Sequence, residues 1–383
     1  MKIILIGYYY SPNLGDAVIA DCVRARLHIC FPDAEIVIRD IWGRTKVESG
    51  RNINLPDMKK QQIRQVYRGI MSRFSLADKQ FSHEQDVLRM HKKEMTVIAE
   101  EPCDAVVFAG GQLLTDLLFY EVSFYIHHFS ERGIPVYLNA LGTGPVYSRN
   151  LHDIFTKALH DPCVHYISVR DHVEEVNRLY NCKAVSVTDP ALFASTVFNL
   201  EKADRREVIG LGIMLPYSIS SGTVIRFWVR LIRELDRRHI SWGVFLNGSN
   251  QDYCMAIKVL SQIPAYRQDP ERKIMTLPKT PYQLVEGISH LRGLISFRLH
   301  SHIIATSLGV PSTAIVWDDK VRAFFEKIGH SERCLTVHAA PDHVIDTFLQ
   351  AEKEGLPTSF IEQKKKESEL LLFDAIRSDF PVT

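Results

Sequence analysis

Two signatures that would mark bound nucleotide phosphates are missing from this chain. The dinucleotide fingerprint G-x-G-x-x-G does not occur, and no Gly-Lys-Ser/Thr closes a P-loop. C-x-x-C pairs are also absent: the seven cysteines, at 22, 30, 103, 163, 182, 254 and 334, are scattered. Their odd number fits reduced thiols better than a disulfide framework. No stretch reaches the ~18 apolar residues of a membrane span. The apolar start, Met1 to Gly7, ends in a glycine and three tyrosines with no small-residue cleavage site after it, unlike a signal peptide. Charge of one sign is lacking too. The formal net charge is +1, which argues against general nucleic-acid binding. No internal repeat or low-complexity tract is evident. The expectation is a cytoplasmic protein, with peripheral contact at the inner face of the membrane left open and no signal that fixes an oligomeric state.

What is present is the composition of an ordinary globular protein, 46% hydrophobic and 24% charged over 383 residues. That length favours two domains. Short, continuous apolar runs alternate with helical segments. The first series is Ile3–Gly7, Glu35–Arg39, Ala105–Phe108, Val136–Ala140, Tyr166–Val169 and Ala184–Val187. The second is Val208–Leu215, Trp242–Asn247, Lys273–Thr276, Gly293–Ser296 and Thr313–Val316. Continuous rather than alternating apolarity marks strands buried on both faces, hence parallel sheets covered by helices. The fold class is therefore α/β, with two Rossmann-like, doubly wound domains. Residues 1–200 form the first, with a polar helical insertion or flap at about 42–100; residues 207–357 form the second, and 358–383 a closing helix. The charged stretch from Asn199 to Glu207 is the expected linker.

In open α/β sheets ligands gather at the carboxyl ends of strands, so the strand-end turns carry the functional signal. The strongest is Gly293–His302, an apolar strand ending in Arg298-Leu299-His300 as the chain turns into a helix. Arg298 offers a fork of donors for a carboxylate or phosphate, and His300 can move a proton near neutral pH. Other turns offer Asn13, Gly15 and Asp16 after the first strand, then Gly110 with Gly111 at an expected helix entrance. Gly142 and Gly144 follow, then Arg170 with Asp171, Asp189 before Pro190, and Asn247 in the second domain. Each has a structural alternative: Asp16, Asp171 and Asp189 are all placed to cap helices. Arg298-x-His300-x-His302 is not read as a metal site, because no carboxylate or cysteine completes it. His302 is read as a packed helix residue.

Taken in order, these turns resemble the polysaccharide pyruvyl transferase family. The matching pieces are Asn13-Leu14-Gly15-Asp16-Ala17, Gly110-Gly111-Gln112-Leu113, Gly142-Thr143-Gly144-Pro145, Ser168-Val169-Arg170-Asp171, Asp189-Pro190-Ala191-Leu192 and Arg298-Leu299-His300-Ser301-His302 with Gly309-Val310-Pro311. Trp317-Asp318-Asp319-Lys320-Val321 extends the series. The chain departs from the family pattern at Tyr8–Pro12, at Gln112, where a third glycine is common, and at Ala17, where a polar residue is common.

The resemblance implies a GT-B-like pair of domains facing each other across a cleft. It also implies transfer of the pyruvyl unit of phosphoenolpyruvate to a sugar acceptor, free or carried by a lipid or nucleotide, as a ketal. On that basis Arg170 and Arg298 hold the anionic donor from opposite walls and His300 is the general acid. Asp16, Asp171 and Asp189 are candidate bases, and no metal or cofactor is needed. Two alternatives stand beside it: a glycosyltransferase of the same architecture with a nucleotide-sugar donor, and a non-catalytic sugar-binding or scaffold protein.

Overall fold

The computed structural model describes residues 1–47, 90–144, 146, 149–200 and 207–381. Most of the expected 42–100 insertion and of the linker lies outside these residues.

The first sheet contains β1 (Lys2–Gly7), β2 (Glu35–Asp40), β3 (Ala105–Phe108), β4 (Gly111–Leu114), β5 (Val136–Thr143), β6 (Val164–Val169) and β7 (Val185–Ser186). Its order is β2-β1-β3-β5-β6-β7, with β4 added beside β5. The second contains β8 (Ile209–Gly212), β9 (Trp242–Phe245), β10 (Gly293–Ser296), β11 (Ser312–Ile315) and β12 (Cys334–Leu335), in the order β12-β11-β10-β8-β9. Every pairing between these strands is parallel. β3, β8, β9, β10 and β11 are buried throughout, as their continuous apolarity requires.

This order creates a topological switch in each sheet, between β1 and β3 in the first and between β8 and β10 in the second. The two switch points face each other. Helix Leu14–Cys30, which leaves β1, packs on helix Pro281–Ser289 and on the Leu299–Ser307 helix that leaves β10. One hydrophobic cluster runs through this junction, from Ile3, Leu5 and Val18 on the first unit to Leu284, Ile288 and Ile303 on the second. The backbone N–H of Leu14 also donates to the Asn247 carbonyl at 3.1 Å. Helix Thr358–Asp379 returns from the second unit to the first, where Ser368 accepts from the Thr188 N–H at 2.8 Å and Asp379 meets His165 at 2.7 Å.

Two expectations are corrected. Gly110 and Gly111 do not open a helix. With φ of +108° and +92° they swing the chain into β4, and a Cβ on Gly110 would sit 3.0 Å from the Ala140 carbonyl oxygen. Lys273–Thr276 is not a strand: Glu271–Lys273 is a 3₁₀ turn, and only Ile274 bridges to Val244. Among the described residues no helix is long and apolar enough to cross a membrane.

Candidate active site

The helix from Leu14 brings Gly15 and Asp16 against His300 at the start of the Leu299–Ser307 helix. The approach is so close that a Cβ on Gly15 would lie 2.5 Å from His300 Cβ and Nδ1. On the other side of the ring stands Arg170 from the end of β6, whose Nη1 donates to His300 Nε2 at 3.1 Å. Gly142 at the end of β5 makes room for this guanidinium, since a Cβ there would meet Arg170 Nε at 2.6 Å. Arg170 ion-pairs with Asp189 and lies 3.6 Å from Asp171. His300 and Arg170 are both buried.

The electrostatics follow from this packing. Burial opposes the Arg170 charge, but Asp189 and Asp171 more than offset it, so the group is held protonated. Burial pushes the His300 pKa below its ordinary value. Asp16 and Asp189 pull it up, while Arg170 and Lys320 add to the depression. His300 is therefore neutral at pH 7. A guanidinium can only donate, so Nε2 is the acceptor and the ring proton sits on Nδ1, 3.7 Å from Asp16 Oδ1.

Asp16 is oriented by a chain of donors across the junction. Ser301 Oγ donates to Asn247 Oδ1 at 2.8 Å, Asn247 Nδ2 to Asn13 Oδ1 at 3.0 Å, and Asn13 Nδ2 to Asp16 Oδ2 at 3.2 Å. Asp16 is not the helix cap; Asn13 occupies that position without a side-chain cap bond. Asp171 is not a cap either: the cap residue is His172, and Asp171 Oδ1 accepts from the Thr143 N–H at 2.8 Å. Asp189 does cap the turn that follows it, accepting from Ala191 N–H at 2.9 Å.

The structure thus gathers Asn13, Gly15, Asp16, Gly142, Arg170, Asp171, Asp189, Asn247 and His300 around one junction. Gly111 stands close by, 3.9 Å from Asp16 Oδ1 as measured from an added Cβ. Gly144 packs on Gln112 and Thr115 instead, and Gly110 shapes the turn into β4. Arg298 is placed differently from the expected free fork. Its Nε and Nη2 are held by both oxygens of buried Asp252, at 2.9 and 2.7 Å, and Nη1 has no partner among the described residues. His302 is a packed helix residue: its ring donates to the Ser296 carbonyl at 3.0 Å, and burial lowers its pKa to about 4.

Sequence reasoning assigned no role to Asp252 or Lys320. Lys320 Nζ reaches across to Gln112 Oε1 of the first unit at 2.8 Å and to Asp318 at 3.3 Å, and burial lowers its pKa. The Gln112 amide in turn donates to the Thr143 carbonyl at 3.0 Å. Gln112 is therefore a cross-domain contact. Lys320 lines both a small cavity of about 30 Å³ beside Arg170 and Asp189 and an open interdomain cleft of about 900 Å³.

A cleft between two Rossmann-like units, with charged groups at facing strand ends, defines a GT-B-like protein. Solved structures with this fold include a UDP-GlcNAc 2-epimerase from Neisseria meningitidis (12% identity, TM-score 0.52, covering 99% of this chain and 100% of that one). A putative UDP-N-acetylglucosamine 2-epimerase from Listeria monocytogenes is similar (11%, TM-score 0.53, covering 100% and 97%). At such identity these structures speak for the fold alone. No curated protein matches the chain. The sequence profile of the polysaccharide pyruvyl transferases matches residues 13–319, most of the chain, and the protein belongs to that family.

Proposed function

We propose that this protein transfers the pyruvyl unit of phosphoenolpyruvate to two hydroxyls of a sugar in a cell-surface polysaccharide precursor, forming a ketal and releasing phosphate. Beyond family membership, one observation carries the reading: Arg170 and His300, from different domains, meet at 3.1 Å with carboxylates on either side. A donor with a carboxylate and a phosphate needs fixed cations; Arg170, turning from its present partners, and Arg298 Nη1, which has no partner among the described residues, supply them. The junction is closed around His300, so the donor enters as the two units part.

His300 begins the cycle in its base form. It takes the proton of the first attacking hydroxyl and passes it to the methylene carbon of the enolpyruvyl group, as that hydroxyl oxygen bonds to the neighbouring carbon. Phosphate then leaves, the second hydroxyl closes the ketal, and its proton departs with phosphate. Asp16, 3.7 Å from Nδ1, attracts the proton there and favours the tautomer that leaves Nε2 free to work once Arg170 turns to the donor. An anion bound at Arg170 also screens that cation from His300. The result is a higher His300 pKa at the moment the ring must carry a proton.

Thermal-shift measurement tests the donor. Stabilisation by phosphoenolpyruvate, absent in Arg170→Lys, is the expected result. Stabilisation by UDP or GDP instead would overturn the reading in favour of a nucleotide-sugar transferase.

A further inference from the structure

The large cleft carries information about the acceptor that the junction does not. It lies between the Val173–Tyr180 helix of the first unit and the loops after β8 and β11 of the second. Three helix N-termini open towards it: Val173–Tyr180, Ser221–Arg237 and Asp319–Lys327. Such termini attract phosphate when their N–H groups are free. Here two of the three carry a side-chain cap, and two carry acidic residues in the first turn. Ser220 Oγ accepts from the Thr223 N–H at 3.2 Å, and Asp318 Oδ1 accepts from the Lys320 N–H at 3.1 Å. Asp319 sits in the first turn of the Asp319–Lys327 helix, and Glu174 with Glu175 in that of Val173–Tyr180.

The fixed charges point the same way. Glu175, Asp318 and Asp319 line the cleft, and Lys320, the one lysine or arginine among its described lining residues, is committed to Asp318 and Gln112. A diphosphate would face surplus negative charge. A sugar would not: carboxylates and the hydroxyls of Ser218 and Thr223 suit its hydroxyl groups, and an aromatic floor suits its apolar ring face. That floor is rigid. Trp317 Nε1 donates to the Phe297 carbonyl at 2.7 Å, Tyr217 meets Trp317 edge-to-face at 5.1 Å, and the Tyr217 hydroxyl donates to Asp318 at 3.2 Å. Tyr217 is 40% exposed, so its ring is open to a ligand.

We infer that this cleft is the acceptor subsite and that it takes a sugar unit bearing no phosphate. Any phosphate-bearing carrier lies outside the cleft. The inference rests on the pyruvyl-transfer reading for the word acceptor, and Lys320, which lines both the cleft and the cavity beside Arg170, is the link between the two sites.

Saturation-transfer NMR with methyl glycosides of common hexoses and N-acetylhexosamines, against UDP and UDP-GlcNAc, tests the inference. The expected result is transfer to at least one glycoside, lost in Tyr217→Ala and not displaced by either nucleotide. The charge-reversed double variant Glu175→Lys with Asp319→Lys should gain UDP binding that the wild type lacks. Displacement of the glycoside by UDP in the wild type, or no Tyr217-dependent glycoside signal, overturns the inference. Phosphoenolpyruvate binding is measured on the same samples and should survive Tyr217→Ala. Glycoside binding without phosphoenolpyruvate binding sinks the transfer reading but leaves the cleft assignment. The opposite pattern sinks the cleft assignment alone.

Discussion

Gly15→Ala isolates the contact between the two units. Alanine in place of glycine within a helix ordinarily stabilises by about 1 kcal/mol. At Gly15 the added Cβ would lie 2.5 Å from His300 Cβ and Nδ1 and 2.6 Å from Cγ, about 0.9 Å inside the 3.4 Å at which ordinary contact begins. These atoms are the root of a side chain fixed on a helix, so they cannot swing aside. Overpacking of this kind costs roughly 1–3 kcal/mol, enough to reverse the helix gain. Because the clash lies between units, it is relieved by moving His300 away from Arg170 and Asp16. A displacement near 1 Å at reacting groups costs about 100-fold in rate. The expected result is a melting temperature lowered by a few degrees and phosphate release lowered by orders of magnitude.

Gly287→Ala, in helix Pro281–Ser289 with its nearest neighbour at 4.0 Å, is the control and should stabilise. Gly15→Ala combined with His300→Gly should recover stability without recovering turnover. If Gly15→Ala stabilises as Gly287→Ala does and keeps wild-type turnover, the junction described here is not the one that works.

Three further outcomes are expected. Asp189→Asn leaves the buried Arg170 charge short of its partner and should destabilise by about 3–5 kcal/mol in calorimetry, with loss of donor binding. Gln112→Ala removes the cross-domain bond to Lys320; stability should fall by about 1 kcal/mol or less, while steady-state kinetics shows weaker use of the donor. His302 has a folded pKa of about 4 against an ordinary 6.5, so an unfolded chain takes up its proton first as pH falls. Its contribution is complete above pH 6.5 and is lost as pH falls towards 4. In denaturant titrations His302→Gln, which keeps a donor for the Ser296 carbonyl, should shrink the acid-side loss by roughly 3 kcal/mol.

The legible parts of the sequence were those fixed by local pattern. β1, β3 and β10 announce themselves because strands buried on both faces must be continuously apolar, and the turns after them carry glycines and charged residues. The family resemblance and the GT-B-like fold were reached from those turns. β4 escaped notice because Gly111–Leu114 is short and follows two left-handed glycines, which imitate a helix entrance. β12 is only Cys334–Leu335, too short for any period to show. The Asp252–Arg298 pair was hidden because it joins residues 46 apart on separate helix starts. Lys320 and Gln112 are 208 apart and meet only when the units dock. The His300 protonation state depends on burial and on Arg170, neither of which a motif displays.

The most direct test is ³¹P NMR of the enzyme with phosphoenolpyruvate and sugar acceptors, followed by mass spectrometry of the glycan. Inorganic phosphate should appear in step with one pyruvyl ketal per acceptor, with neither product formed by His300→Ala or Arg170→Lys. Wild-type turnover by either variant, or phosphate release without ketal, would contradict the account.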